Sequence, residues 1–285
     1  MSAYIDKETL IKAENISLKF GKTTILRDIG TQNLPFCIKD TVKIDTTQGQ
    51  IIAVVGRSGR GKSSFFKLLT GLLKPTTGQI LIPELTQTDH KPILNYKTVE
   101  EGDVGFVQQK FPLSRNENVL TMLTDAAIKG NINATERPKI IEQYLREWGL
   151  DDKRHYYKKQ LSGGQQQRVA IIEQLLCSHY FIVLDEPFSG LDVANIEDVI
   201  ESLQKITSSH EINTIIFSTH DIDLAVRLAD EVFVLGFETQ EDQTFIPGGT
   251  LIAHFDLKQM QIAWQPMSQK HHELTEAIKT IMKKS

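Results

Sequence analysis

Apolar and polar positions along this chain alternate in short bursts, and the period of each burst predicts an element. Near the N-terminus, "IKAENISLKF" and "TTILRDIG" flank a turn at Gly21-Lys22 and read as strands. "QGQIIAVVG" is a continuous apolar run with β-branched residues, bounded by glycine, and predicts a buried strand. It feeds "RSGRGKSSFFKLLTG", where Phe65, Phe66, Leu68, Leu69 and Leu72 fit one helical face and Gly71 is placed to end the helix. Residues 84 to 103 are polar and read as a loop. "VGFVQQ" is strand-like, and residues 114 to 160 carry mainly helical patterning.

Further on the periods alternate. "YFIVLDEP", "TIIFST" and "EVFVLG" are strand-like, while "ANIEDVIESLQKITSS" and "DIDLAVRLA" between them are helical. Such alternation predicts a parallel sheet with helices on both faces. The helical block near 114 to 175 interrupts it and is expected to form a separate subdomain. After Pro266, Leu274, Ile278, Ile281 and Met282 recur at helical spacing and the segment ends in lysines, which predicts a C-terminal helix.

Composition narrows the class. A chain of 285 residues with 40% hydrophobic positions can bury a large core. The formal charge of -4 gives no electrostatic reason to expect nucleic acid as a partner. Cys37 and Cys177 are too few for a disulfide framework and have no neighbouring ligand cluster, so they read as packed or inert thiols. No apolar run approaches the ~20 residues of a membrane span, and the first residues lack the build of a signal peptide. A soluble, cytosolic chain is expected, in which Asn15 and Asn133 meet no glycosylation machinery. His271 and His272 read as a solvated helix face.

Three stretches carry chemistry. "GRSGRGKS", Gly56 to Ser63, fits G-x-x-x-x-G-K-[ST] between a predicted strand and a predicted helix, the context a phosphate loop needs. Its glycines let backbone N–H groups curl around phosphate oxygens, and the helix N-terminus adds positive potential. Lys62 would reach the β- and γ-phosphates, and Ser63 would offer a hydroxyl to Mg²⁺. "FIVLDEP" sets Asp185 and Glu186 at the C-terminal end of a buried strand, where ligands bind in open α/β sheets. Asp185 suits a metal's water shell, and Glu186 suits orienting or deprotonating a water. His220 in "STHD" follows the next strand at the same edge.

The third stretch is "LSGGQQQR", Leu161 to Arg168. Ser162 and Gln165 make an S-x-x-Q capping box, which accounts for a well-started helix. Capping does not explain the paired Gly163 and Gly164; a phosphate that approaches the backbone closely does.

Together and in this order, these motifs resemble the ATP-binding cassette (ABC) ATPases. Gly56 to Ser63 match the family's Walker A, "LSGGQQQR" its signature motif and "FIVLDE" its Walker B. "SGLD", Ser189 to Asp192, resembles its D-loop, and His220 its switch histidine. Gln109 is similar to its Q-loop glutamine, and Phe20 stands where an aromatic stacks on adenine. The resemblance runs from about residue 11 to 255. It implies a P-loop α/β core of RecA type with an antiparallel β subdomain and a helical subdomain at about 110–165. The cassette would cover 1–265, with a helical extension at 266–285. "TQNLPFCIKDTVKIDTT" is about ten residues longer than the family's usual connection, in the manner of variable loops.

By the same resemblance, Gly56, Ser58, Gly59, Arg60, Gly61, Lys62, Ser63 and Ser64 bind ATP together with Phe20 and Gln109. Ser63, Gln109 and Asp185 hold Mg²⁺, and Glu186 and His220 are catalytic. Ser162, Gly163, Gly164, Gln165 and Asp192 cover the ATP of a second cassette. The partners implied are that second cassette, integral membrane permease subunits and a substrate-binding protein, at the cytoplasmic face of a membrane. "KFPLSRNENVLTML" resembles the region where importer cassettes receive a permease helix, and residues 248–266 resemble the tails of nitrate-, sulfonate- or taurine-type cassettes. A soluble ATPase serving a non-transport process such as cofactor assembly, and a regulatory subunit gating a permease through its tail, remain open at this point.

Overall fold

A computed structural model describes residues 4–43, 49–84, 95–109, 113–178, 180–191, 193–209, 213–240, 242 and 244–285. The strands are β1 (Tyr4–Phe20), β2 (Thr23–Ile29), β3 (Phe36–Lys43), β4 (Gln50–Val55), β5 (Thr77–Pro83), β6 (Tyr96–Thr98), β7 (Gly105–Val107), β8 (Phe181–Leu184), β9 (Thr214–Thr219), β10 (Glu231–Gly236) and β11 (Thr250–Asp256). The helices are α1 (Lys62–Leu69), α2 (Val119–Lys129), α3 (Arg137–Glu147), α4 (Gly163–Ser178), α5 (Val193–Ser209), α6 (Ile222–Leu228) and α7 (Gln269–Lys283).

Among the described residues the strands form two sheets. One runs β11-β10-β4-β9-β8-β7, parallel except for the β11 edge. The other is antiparallel, with β1 at its centre pairing β2, β3 and β5, and β6 beyond β5. The parallel strands are buried on both faces, which is why they read as unbroken apolar runs. Along β4, Ile51, Ala53 and Val55 pack with the helical block and α6, while Ile52 and Val54 pack with α1 and the antiparallel sheet. α1 therefore lies between the two sheets, with Phe65, Phe66, Leu68 and Leu69 fully buried.

Two expectations change. The extra length between β2 and β4 is not merely loop: β3 adds a strand to the antiparallel sheet. Its Phe36 is fully buried and meets Phe65 edge-on at 4.9 Å and Phe233 at 4.7 Å. Burying one such ring contributes about 1.5–3 kcal/mol toward holding the added strand. Within the polar stretch read as loop, Tyr96–Thr98 form β6, recruited by the open edge of β5; residues 85–94 lie outside the described ones. α2, α3 and α4 share one continuous apolar cluster with a face of the parallel sheet.

α7 packs onto α6 and β10 rather than standing off the cassette, with Leu274 and Ile278 buried. His272 is exposed as expected, but His271 is buried, which corrects its reading as a solvated residue. The Ser268 N–H donates to its Nδ1 at 3.1 Å, and its Nε2 lies 3.0 Å from the Ile262 carbonyl, closing a capping box on α7.

On α4, burial pushes the Glu173 carboxyl from 4.5 up to about 7, against the pull of Lys129 and aided by Glu117. Folding therefore takes up a proton between those values. The stability Glu173 contributes is complete below pH 4.5 and is lost as pH rises through 7. Relieving the buried charge is worth about 2 kcal/mol after solvent screening. Glu173→Gln is expected to raise the melting temperature at pH 8 by roughly 3–6 °C and to leave it unchanged near pH 4.5, read by thermal melts at both.

Candidate active site

The parallel topology brings the chemistry together. Gly56 follows β4, Asp185 follows β8, His220 follows β9 and Gln109 lies just past β7, so all four stand at C-terminal strand ends. This is the edge where an open α/β sheet leaves a crevice.

The phosphate loop is shaped by what its glycines avoid. Gly61 has φ +94, and a Cβ there would lie 2.6 Å from the Leu26 side chain. Gly59, at φ +81, meets nothing within 4 Å, so its open side is available to a ligand. Helix α1 begins with no side-chain cap, and its first i→i−4 bond runs from Phe65 N–H to Gly61 O at 2.8 Å. The amides of Lys62, Ser63 and Ser64 are left for an external acceptor, the condition for anion binding at a helix start. Lys62 is buried, and its Nζ donates to Gly56 O at 2.7 Å. The same ammonium lies 3.7 Å from Glu186 Oε1.

Glu186 occupies left-handed backbone, φ 51. Its N–H donates to Ser218 Oγ at 2.9 Å, and that hydroxyl donates to Asp185 Oδ1 at 2.7 Å. One fully buried serine thus fixes both acidic residues. His220 Nδ1 lies 2.9 Å from Glu186 Oε2, and the ring is largely exposed toward the crevice mouth. The turn holding His220 is pinned by Asp221, whose N–H donates to Thr219 Oγ1 and whose side chain caps α6.

Gln109 is exposed and approaches Ser189, Nε2 to Oγ at 3.4 Å, which joins the strand end after β7 to the "SGL" segment. Asp192 lies outside the described residues. Phe20 is exposed, in the hairpin whose second strand packs Leu26 against Gly61. Ser58 and Ser63 are exposed. The Arg60 side chain is engaged within the chain. Its guanidinium sits 4.1 Å over the Phe237 ring and donates to Ser285 O at 3.0 Å. Burial and neighbouring Arg57 push its pKa down. A desolvated cation already stacked and bonded has little reason to turn outward.

At the start of α4 the capping box is reciprocal. Ser162 N–H donates to Gln165 Oε1 at 3.0 Å, and Gln165 N–H to Ser162 Oγ at 3.3 Å. A Cβ on Gly163 would meet nothing within 4 Å, and Gly164 is buried. Ser162 and Gly163 face solvent within this chain. Sequence reasoning missed Ser218 and Gln167. Ser218 leaves one signal, a small hydroxyl breaking the apolar run of β9; Gln167 is indistinguishable from its glutamine neighbours until its burial is seen.

A phosphate loop, an acidic strand end and a histidine on one sheet edge define a P-loop nucleotide hydrolase. The ABC transporter family model matches residues 39–189. The arginine transport ATP-binding protein ArtM of Bacillus subtilis is 33% identical over 228 residues, covering 79% of this chain and 87% of that protein. The chain belongs to the ABC transporter family, as an ATP-hydrolysing cassette. The nitrate import ATP-binding protein NrtD of Synechococcus elongatus is 33% identical over 206 residues, 70% of each chain. Among solved structures, cbiO1 of Clostridium perfringens, part of the cbiONQ transporter complex, shares the fold at a TM-score of 0.67 and 24% identity, over 97% of this chain and 98% of that one. The cassette MJ0796, solved as a dimer with ADP and phosphate, gives 0.62 at 25% identity, over 87% and 99%. Among the described residues, no helix is long and apolar enough to cross a membrane.

Proposed function

We propose that this chain powers an importer, as one of two cassettes arranged head-to-tail on separately encoded permease subunits at the cytoplasmic face of a membrane. The observation that carries the catalytic half is the meeting of Lys62, Glu186 and His220 within hydrogen-bond or ion-pair reach at one sheet edge. The relatives named for arginine transport and nitrate import support the transport half. A substrate-binding protein completes such an importer.

In this reading Phe20 stacks on adenine, and the amides from Gly56 to Ser64 with Lys62 hold the phosphates. The oxygen donors of Ser63, Gln109 and Asp185 suit Mg²⁺. An ion there relies on Ser63, Gln109, Asp185 and phosphate oxygens, the mixed oxygen set magnesium takes. When bound, it neutralises charge on the β- and γ-phosphate oxygens. Glu186 takes a proton from water as the water oxygen bonds to the γ-phosphorus. The bond to the β-phosphate oxygen breaks, and ADP leaves with the electron pair. His220 orients Glu186 and the γ-phosphate, while Lys62 balances developing charge. Ser162, Gly163, Gly164, Gln165 and Asp192 close over the nucleotide of the second cassette.

An affinity-tagged chain purified from detergent-solubilised membranes tests the transport reading. An integral membrane protein is expected to co-purify and to raise the ATPase rate. A soluble partner alone, as for a cofactor-assembly ATPase, overturns it.

A further inference from the structure

Gln167 is used neither by the phosphate loop nor by the capping box, yet its side chain is fully buried in α4. Its Nε2 donates to the carbonyl of Pro187, the residue directly after Glu186. Its Oε1 has no hydrogen-bond partner among the described residues. Packing alone does not call for this residue, because an apolar side chain of similar length fills the space without a half-satisfied buried amide. The donated bond is what an explanation must cover.

Glu186, in its left-handed backbone, needs support from its surroundings to stay there. It is held on both sides. Upstream, Ser218 of the sheet takes its N–H; downstream, Gln167 of α4 takes the next carbonyl. The sheet lies on one side, whereas α4 begins with Ser162–Gln165, whose exposed Ser162 and Gly163 are proposed to cover a second cassette's nucleotide. We infer that Gln167 is a positioning residue that makes the aim of Glu186 depend on where α4 sits, and so on whether α4 has closed over the other chain's ATP. A helix shifts as a body, and Gln167 lies only about 7 Å along the axis from Ser162. Hydrolysis in each chain then responds to the nucleotide held by the other. Two other ties of α4, Arg168 to Asp198 at 3.4 Å and the Phe106 N–H to Gln174 Oε1 at 3.0 Å, end on α5 and β7 and reach no catalytic group. The inference rests on the shared-site reading above.

Gln167→Met and Gln167→Leu both remove the donor and put an apolar side chain of similar bulk in its place. ATPase rate against ATP concentration, ATP affinity of the monomer, and ATP-driven dimerisation in the Glu186→Gln background are measured for each. Both variants are expected to lose kcat roughly tenfold and to show a Hill coefficient near 1, against a wild-type value above 1. Monomer affinity is expected to stay within about twofold, with the dimer still forming. Unchanged kinetics, a kcat loss with the Hill coefficient retained, or a wild-type Hill coefficient of 1 each overturn the inference while leaving the shared site standing. Failure of Glu186→Gln alone to dimerise with ATP overturns the shared site, and the inference with it.

Discussion

Glu186→Gln is expected to lower ATP turnover by about 10²–10⁴-fold, the range a positioned general base supplies, while leaving ATP binding intact. The amide is nearly isosteric, and the backbone that places it is held through the main chain by Ser218, which the substitution does not touch. What is lost is the acceptor for water's proton and the negative charge 3.7 Å from the Lys62 ammonium. On the proposed reading, binding depends on the phosphate-loop amides and on Lys62, and a lysine freed from a nearby carboxylate is a better phosphate ligand. With hydrolysis blocked, the γ-phosphate persists. Contacts made only by the closed pair then persist too, and the population shifts to the dimer. Light scattering after gel filtration with ATP should show a dimer in the variant at concentrations where wild type dissociates. Wild-type turnover in Glu186→Gln removes Glu186 from the mechanism.

The site's main parts were legible in the sequence because each is a local pattern with a local cause. The phosphate loop is a contiguous run, and Asp185, Glu186 and His220 each close a strand whose apolar run marks its end. What stayed hidden depends on contacts between distant segments. β3 is mixed in polarity and follows Pro35 directly; its place in the sheet follows from Phe36 reaching Phe65 and Phe233, contacts that no local pattern reveals. Arg60 reads as a phosphate ligand from its position alone, and only the fold brings Phe237 and Ser285 beneath it. His271 is buried because α7 lies against residues 257–263, a docking its polar neighbours conceal. Ser218 escaped for the same reason, its partners lying 32 and 33 residues away in the chain.

Gly163→Asp sets two expectations of opposite sign, which makes it the sharper test of the shared site. Within this chain nothing stands in the way, since a Cβ at Gly163 would meet no atom within 4 Å and the residue is outside left-handed backbone. Aspartate costs a few tenths of a kcal/mol less than glycine in a helix, so ~0.3 kcal/mol is gained. A carboxylate in the first turn gains a further ~0.3–1 kcal/mol from the helix dipole. The folded monomer should therefore be as stable as wild type or more so, by denaturant or thermal melts, and should bind ATP with unchanged affinity. In the proposed shared site the same carboxylate puts a negative charge where the second chain's γ-phosphate would sit and fills the open space it needs. ATP-driven dimerisation should be abolished, including in the Glu186→Gln background where the dimer is otherwise trapped. A simple structural lesion would lower stability and dimerisation together; an anion site shared across the pair raises one and removes the other. A Gly163→Asp chain that still dimerises with ATP leaves the paired glycines without the role proposed for them.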